Sequence, residues 1–224
     1  MNYLFLGLEI ILTFFLMIIF YKINRKDGLY LYIGLLSSLL SIIVIGSIDV
    51  LSFKISLGVP LVVAIFLCNN VIIQRYGLDE VKRIIYTFGL SYILTIIILG
   101  LGSLVSNYGY IISSNDIYDY LFGYGFSNFR FIIGAFIAIL LMICIGSGIY
   151  YSIKKSRNVL VISNAVTAFV ILFIESLLFV LISSAGSFTV VELFGQISVR
   201  YIIEIFISIL GIIPVYFLVK YIDK

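Results

Sequence analysis

Long apolar runs separated by short polar breaks dominate the chain, and most of the runs are too long for buried strands. A helix that crosses a membrane needs about 20 mostly apolar residues. Seven runs qualify: residues 3–21, 29–51, 55–73, 84–104, 131–151, 159–183 and 201–219. Only a few residues around Phe53 and Lys54 separate the second run from the third, which predicts a tight re-entry. The expected fold is all-α: a polytopic membrane helix bundle of seven transmembrane helices in one integral membrane domain. The first run has no basic segment before it and no small-residue cleavage site after it, so it reads as a retained span.

The polar breaks give an orientation, because Lys and Arg accumulate on the cytoplasmic side of a membrane. Lys22, Arg25 and Lys26 follow the first run, and Arg75, Lys82 and Arg83 the third. Lys154, Lys155 and Arg157 follow the fifth, and Lys220 and Lys224 the last. With seven spans these eleven share one side and only Lys54, Arg130 and Arg200 fall on the other. The expectation is an N-terminus outside, a C-terminus inside and a place in the cell membrane. The longest break, residues 105–129, then faces outward and carries Tyr108, Tyr110, Tyr118, Tyr120 and Tyr124. These tyrosines fit either an interfacial belt or an aromatic lid over an outward-facing site, and the sequence leaves both open.

Composition agrees with the pattern. Of 224 residues, 63% are hydrophobic and 11% charged, with a mean hydropathy of +1.25. A soluble domain carries about 25% charged residues, so this chain lacks the polar groups to cover a water-facing surface. Its partner is the lipid bilayer. The net charge of +3 comes from the basic breaks and gives no reason to expect nucleic acid. Cys68 and Cys144 lie within apolar runs and read as small buried hydrophobes rather than a disulfide. The chain has no histidine, which removes the commonest metal ligand and general base. It has no HExxH, P-loop or GxSxG, and no GxGxxG placed after a strand. No cofactor, metal site or catalysis is expected.

The candidate chemistry is the set of polar residues inside the runs. The third run opens on Gly58 and Pro60, then carries Asn69, Asn70 and Gln74 toward its inner end. Amides both donate and accept, so they suit the edge of a heterocycle or a bond between helices. Glu175 sits deep in the sixth run, and Asn164 lies eleven residues earlier on the same helical face. A charge at a helix centre costs about 2.5–3.5 kcal/mol on insertion scales, so it usually meets a partner or a cavity. Glu175 therefore reads either as a carboxyl that locks helices or as one that orients a substrate or carries a proton. Glu204 stands one turn after Arg200, as an interfacial ion pair or as part of a site. Arg130 is placed similarly, and Asp49 reads as a solvated end residue facing Lys54. Gly134, Ala138 and a Gly146-Ser147-Gly148 turn suggest close helix packing. Gly58–Pro60 and Gly211–Pro214 form a faint echo of paired helix breaks.

Three stretches resemble the VUT family of vitamin uptake transporters, which includes bacterial transporters of queuosine precursors. The first is LGVPLVVAIFLCNNVIIQRYGLDEVKR, residues 57–83. The second is the helix pair around YYSIKKSRNVLVISNAVTAFVILFIESLLFVLISSAG, and the third is YIIEIFISILGIIPVYFLVKYI. The resemblance covers roughly residues 30–220. It implies a six-helix core over residues 29–220 with residues 1–28 as an additional N-terminal helix. Here Asn70 stands where the family usually has aspartate, Glu175 where aspartate is commoner, and Glu204 where lysine is frequent. The resemblance implies import of a queuosine or archaeosine precursor, a deazapurine base.

The reading that results is a transporter importing a small-molecule substrate, with proton coupling as one option. Its substrate-binding residues would be Asn69, Asn70, Gln74, Asn164, Glu175 and Glu204, drawn from spans three, six and seven. The topology puts the amides of span three near the inner end and the two glutamates in the outer half, as inner and outer parts of one path. Two alternatives stay open. One is a substrate-binding subunit that works with a separate energising subunit; the other is a structural subunit of a membrane complex. A homo-oligomer is compatible with all three.

Overall fold

The computed structural model describes residues 2–50, 53–105, 126–157, 160–184 and 186–221. The expected tyrosine-rich outer loop lies almost wholly outside these residues. Among the described residues, six helices are long and apolar enough to cross a membrane. In chain order they are α1 (Asn2–Ile43), α2 (Val59–Tyr76), α3 (Val81–Val105), α4 (Phe126–Arg157), α5 (Leu160–Ser184) and α6 (Val190–Tyr221). Large apolar side chains such as Leu94 and Ile97 on α3, Phe169 on α5 and Phe206 on α6 point outward. Apolar outer faces on helices of spanning length make this a multi-pass membrane protein.

The first helix is not one rod. Asn24 and Arg25 leave helical geometry, and Arg25 takes a positive φ of 45°. The Tyr32 hydroxyl donates to the Thr13 carbonyl at 2.6 Å. Nineteen residues of unbroken helix would hold those groups about 28 Å apart, so the two arms lie back to back. Phe20 and Tyr32 pack with ring centroids 5.1 Å apart. Close approach at the turn requires Gly28: a Cβ there would run into the Phe20 carbonyl.

After α1 the chain makes a β-hairpin, β1 (Ser47–Val50) with β2 (Phe53–Ser56). The expected second span therefore ends earlier than residue 51, and the third starts later than residue 55. Ile48, Val50 and Ile55 extend the neighbouring apolar runs, so their composition masks the strand. Asp49 stands opposite Lys54 in the register, as expected. The Ser56 hydroxyl donates to the Val44 carbonyl at 2.8 Å and accepts the Gly58 N–H at 3.1 Å, which ties the hairpin to the start of α2.

α2 is the axis of the bundle. All of residues 59–73 are buried, with α1, α4 and α6 packed around them. Its apolar surface would suit lipid or a packed core, but Asn69 and Asn70 need polar partners, which they find inside the bundle. Gly58 caps it and Pro60 sits in its first turn, where a missing N–H is harmless. At its far end the Gly77 N–H bonds to the Ile73 carbonyl at 3.2 Å.

α4 and α5 pack closely because Gly134 and Gly146 bring Ile182 to 3.5 Å and Ile171 to 3.1 Å of a notional Cβ. The expected Gly146–Gly148 turn is instead continuous helix inside α4. Phe88 and Tyr92 of α3 stack against Phe136 of α4. α6 runs unbroken through Pro214, so no discontinuous helix forms there. Gly211 lets Leu67 and Phe14 approach that helix closely. Cys68 is buried as expected, whereas Cys144 is exposed on the outer face of α4; both are free.

One end of the bundle gathers basic groups. Lys26 pairs with Glu80 at 2.8 Å, and Arg83 pairs with Asp27 at 3.1 Å. The Lys154 ammonium donates to the Gln74 carbonyl at 2.7 Å, and Arg75 reaches the Val219 carbonyl. The hairpin lies at the opposite end.

Candidate functional site

The amides of α2 each reach a different partner. Asn70 Nδ2 donates to Asn164 Oδ1 of α5 at 2.9 Å, and both residues are fully buried. Asn164 Nδ2 donates to the Leu160 carbonyl at 3.0 Å. Asn69 Oδ1 accepts the Ser147 hydroxyl of α4 at 3.2 Å, and Gln74 Oε1 accepts the Tyr150 hydroxyl at 3.0 Å. Asn70 and Gln74 share a helical spacing but bond to different helices. The amide Oδ1 of Asn70 is buried without a partner, as are the hydroxyls of Ser163 and Thr167 on α5. Asn70 donates to Asn164, so Asn164→Leu leaves the Asn70 amide without a partner and Asn70→Leu leaves Asn164 Oδ1 without one. Each single change is expected to lower stability by about 1 kcal/mol, and the double change by less than the sum. Thermal melting of the four purified proteins in one detergent reads that coupling.

The second cluster lies toward the hairpin end, where α5 and α6 pack. Arg200 Nη2 sits 2.9 and 3.2 Å from the two carboxylate oxygens of Glu175. Arg200 Nε stands 2.8 Å from Glu204 Oε1, an ion pair whose angle departs from hydrogen-bond geometry. The Ser176 hydroxyl donates to the other Glu204 oxygen at 2.8 Å. The guanidinium carbon lies 4.0 Å from the ring centroid of Phe179. Glu175, Arg200 and Glu204 are 1%, 3% and 0% exposed, so this is not the solvated interfacial pair that the i,i+4 spacing suggests. Low dielectric strengthens the attraction but makes any unpaired member expensive. Both carboxylates face one guanidinium, which leaves the cluster one acid in excess.

The six expected site residues thus fall into two groups on a common axis. Glu175 and Glu204 share Arg200; Asn70 and Asn164 bond directly, with Asn69 and Gln74 beside them on α2. Glu175 and Asn164 are separated by about 16 Å of helical rise. Between the groups the Ser208 hydroxyl of α6 is also buried and unpartnered. Sequence reasoning missed Ser147, Tyr150, Ser176 and Ser208, because a hydroxyl in an apolar run gives no sign of its partner. Arg200 was visible as a flanking charge and as the i,i+4 partner of Glu204, a pair the structure contains, but not as a partner of Glu175.

A cavity of about 100 Å³ opens beside Arg200, between the hairpin, the start of α4, the end of α5 and the start of α6. Among the described residues, no group of three or more His, Cys, Asp or Glu comes together to hold a metal ion. No family model matches the chain, nor does any curated protein or solved structure.

Proposed function

We propose that the chain is a cell-membrane transporter that imports a small organic molecule. The two arms of α1 count as separate spans, giving seven, with the basic end of the bundle in the cytoplasm and the N-terminus outside. The observation that carries this reading is the file of buried polar groups along the bundle axis. It runs from Arg200, Glu175 and Glu204 through Ser208 and Thr167 to Asn164 and Asn70, with half-buried Gln74 at its inner end. Four of its side chains or close neighbours (Asn70, Ser163, Thr167 and Ser208) keep an atom without a partner. Helices that only needed locking would satisfy those atoms, because an unsatisfied polar atom in a membrane interior is costly. Water or a polar substrate passing along the file would satisfy them in turn.

The surplus acid beside Arg200 gives the path one group that can take and release a proton, which suits proton coupling. The resemblance of residues 57–83 to vitamin uptake transporters makes a deazapurine base the first substrate to try. Amides and hydroxyls along the file offer the paired donors and acceptors that such a base presents.

Uptake of labelled deazapurine precursor bases by cells expressing the chain tests the proposal. Glu175→Gln keeps the shape but removes the charge that Arg200 faces, and uptake is expected to fall at least tenfold. Wild-type uptake rates for Glu175→Gln at every pH would remove the path from the mechanism. Uptake that stops when ATP is depleted, with the proton gradient held, would instead point to a separate energising subunit.

A further inference from the structure

The cavity beside Arg200 has a chemistry that the polar file does not explain. Arg200 uses Nη2 on Glu175 and Nε on Glu204, and Nη1 is buried without a partner. A guanidinium carries five N–H donors in a fixed plane, shaped to meet two oxygens side by side. Arg200 lines the cavity, and neither Glu175 nor Glu204 does. The other polar lining groups are Lys54, Gln196 and three serines, with Lys54 exposed. Among the described residues, no Asp or Glu lines the cavity. Phe131, Phe179 and Phe188 supply flat apolar walls. Two cations, neutral donors and aromatic walls around so small a space select a planar molecule with an anionic end.

We infer that this cavity binds the carboxylate of a small aromatic or heterocyclic acid, held by Arg200 and Gln196 with Lys54 at the mouth. An arriving carboxylate is a third acid around one guanidinium. Lys54 at the mouth offsets part of that charge. The site concerns what the hairpin end recognises and does not depend on whether the ligand is then carried across.

Binding of labelled benzoate to the purified full chain in detergent tests this, with displacement by unlabelled benzoate to count only saturable sites. Benzamide and benzylamine have the same ring with a neutral or a cationic end. The expected result is one benzoate per chain, with both competitors at least about tenfold weaker, a gap equivalent to one decade in Kd. Arg200→Lys keeps the charge but loses the planar fork, and it is at risk of misfolding. Lys54→Met and Gln196→Leu touch neither ion pair of Arg200, and each is expected to weaken benzoate about tenfold with the melting temperature unchanged. Equal binding of the three compounds, no saturable benzoate on folded protein, or full affinity in both of these variants would overturn the assignment. Uptake in vesicles is a separate readout, so losing transport while keeping benzoate binding removes the transporter reading alone.

Discussion

Arg200→Met is expected to leave little folded protein, whereas replacing the whole cluster restores it. The single change removes the cation that Glu175 and Glu204 share, with all three residues at 3% exposure or less. Breaking a buried ion pair from one side costs about 3–5 kcal/mol, out of the roughly 5–15 kcal/mol that typically holds a domain folded. Removing every member is different, because apolar side chains of similar size do not need to be desolvated. The triple variant Glu175→Leu, Arg200→Met, Glu204→Leu is therefore expected to melt within about 1–2 kcal/mol of the parent yet to import nothing. Size-exclusion profiles and melting curves in detergent separate the two variants, and uptake assays complete the comparison. An Arg200→Met protein as stable as the parent would show that the cluster is not a single buried charge unit. A folded triple variant that still transports would take the charges out of the mechanism. The same logic ranks the acids: Glu204→Gln leaves Arg200 its two-oxygen contact with Glu175 and is the milder change.

Gly28→Ala is expected to loosen the fold-back of α1. The added methyl would meet the Phe20 carbonyl, a backbone atom with no rotamer through which to retreat. Either the turn at Asn24–Arg25 opens or the two arms slide, and both movements break the Tyr32–Thr13 bond and the Phe20–Tyr32 contact. Overpacking of this kind costs about 1–3 kcal/mol, and backbone on one side places this case at the upper end. A cysteine pair across the arms, made in both backgrounds, reads the separation by its cross-linking yield. Gly7→Ala is the matched control, since nothing lies within 4 Å of a Cβ at that position. Unchanged cross-linking and melting in Gly28→Ala would mean that the arms do not approach each other there.

Much of the helical architecture is legible in the sequence, because a helix in lipid must be apolar over its whole length and the runs show it. The hairpin is not, since Ile48, Val50 and Ile55 alternate too briefly to stand out from the runs beside them. Pro214 reads as a break but the helix absorbs it, so the faint symmetry with Gly58–Pro60 has no structural counterpart. For the site, positions and the local Arg200–Glu204 pair were readable, and partnership between helices was not. Asn70 and Asn164 stand out as amides in apolar surroundings, but nothing in a single sequence reveals that they meet across 94 residues. Arg200 lies at the edge of an apolar run and reads as a flanking charge. Its burial depends on Glu175, 25 residues earlier on another helix. A charge is placed by its partner, and the partner is a tertiary fact.

The burial of α2 also has a consequence in time. Asn69 waits 78 residues for Ser147, and Asn70 waits 94 for Asn164. At a synthesis rate of about 5–20 residues per second, that is roughly 4–20 seconds during which the central helix exists without its lateral partners. For that interval its amides face lipid, water or the insertion machinery. The helix that ends as the most enclosed part of the protein is born as its most exposed intermediate, so biogenesis of this chain should depend on whatever shelters α2 until α4 and α5 arrive.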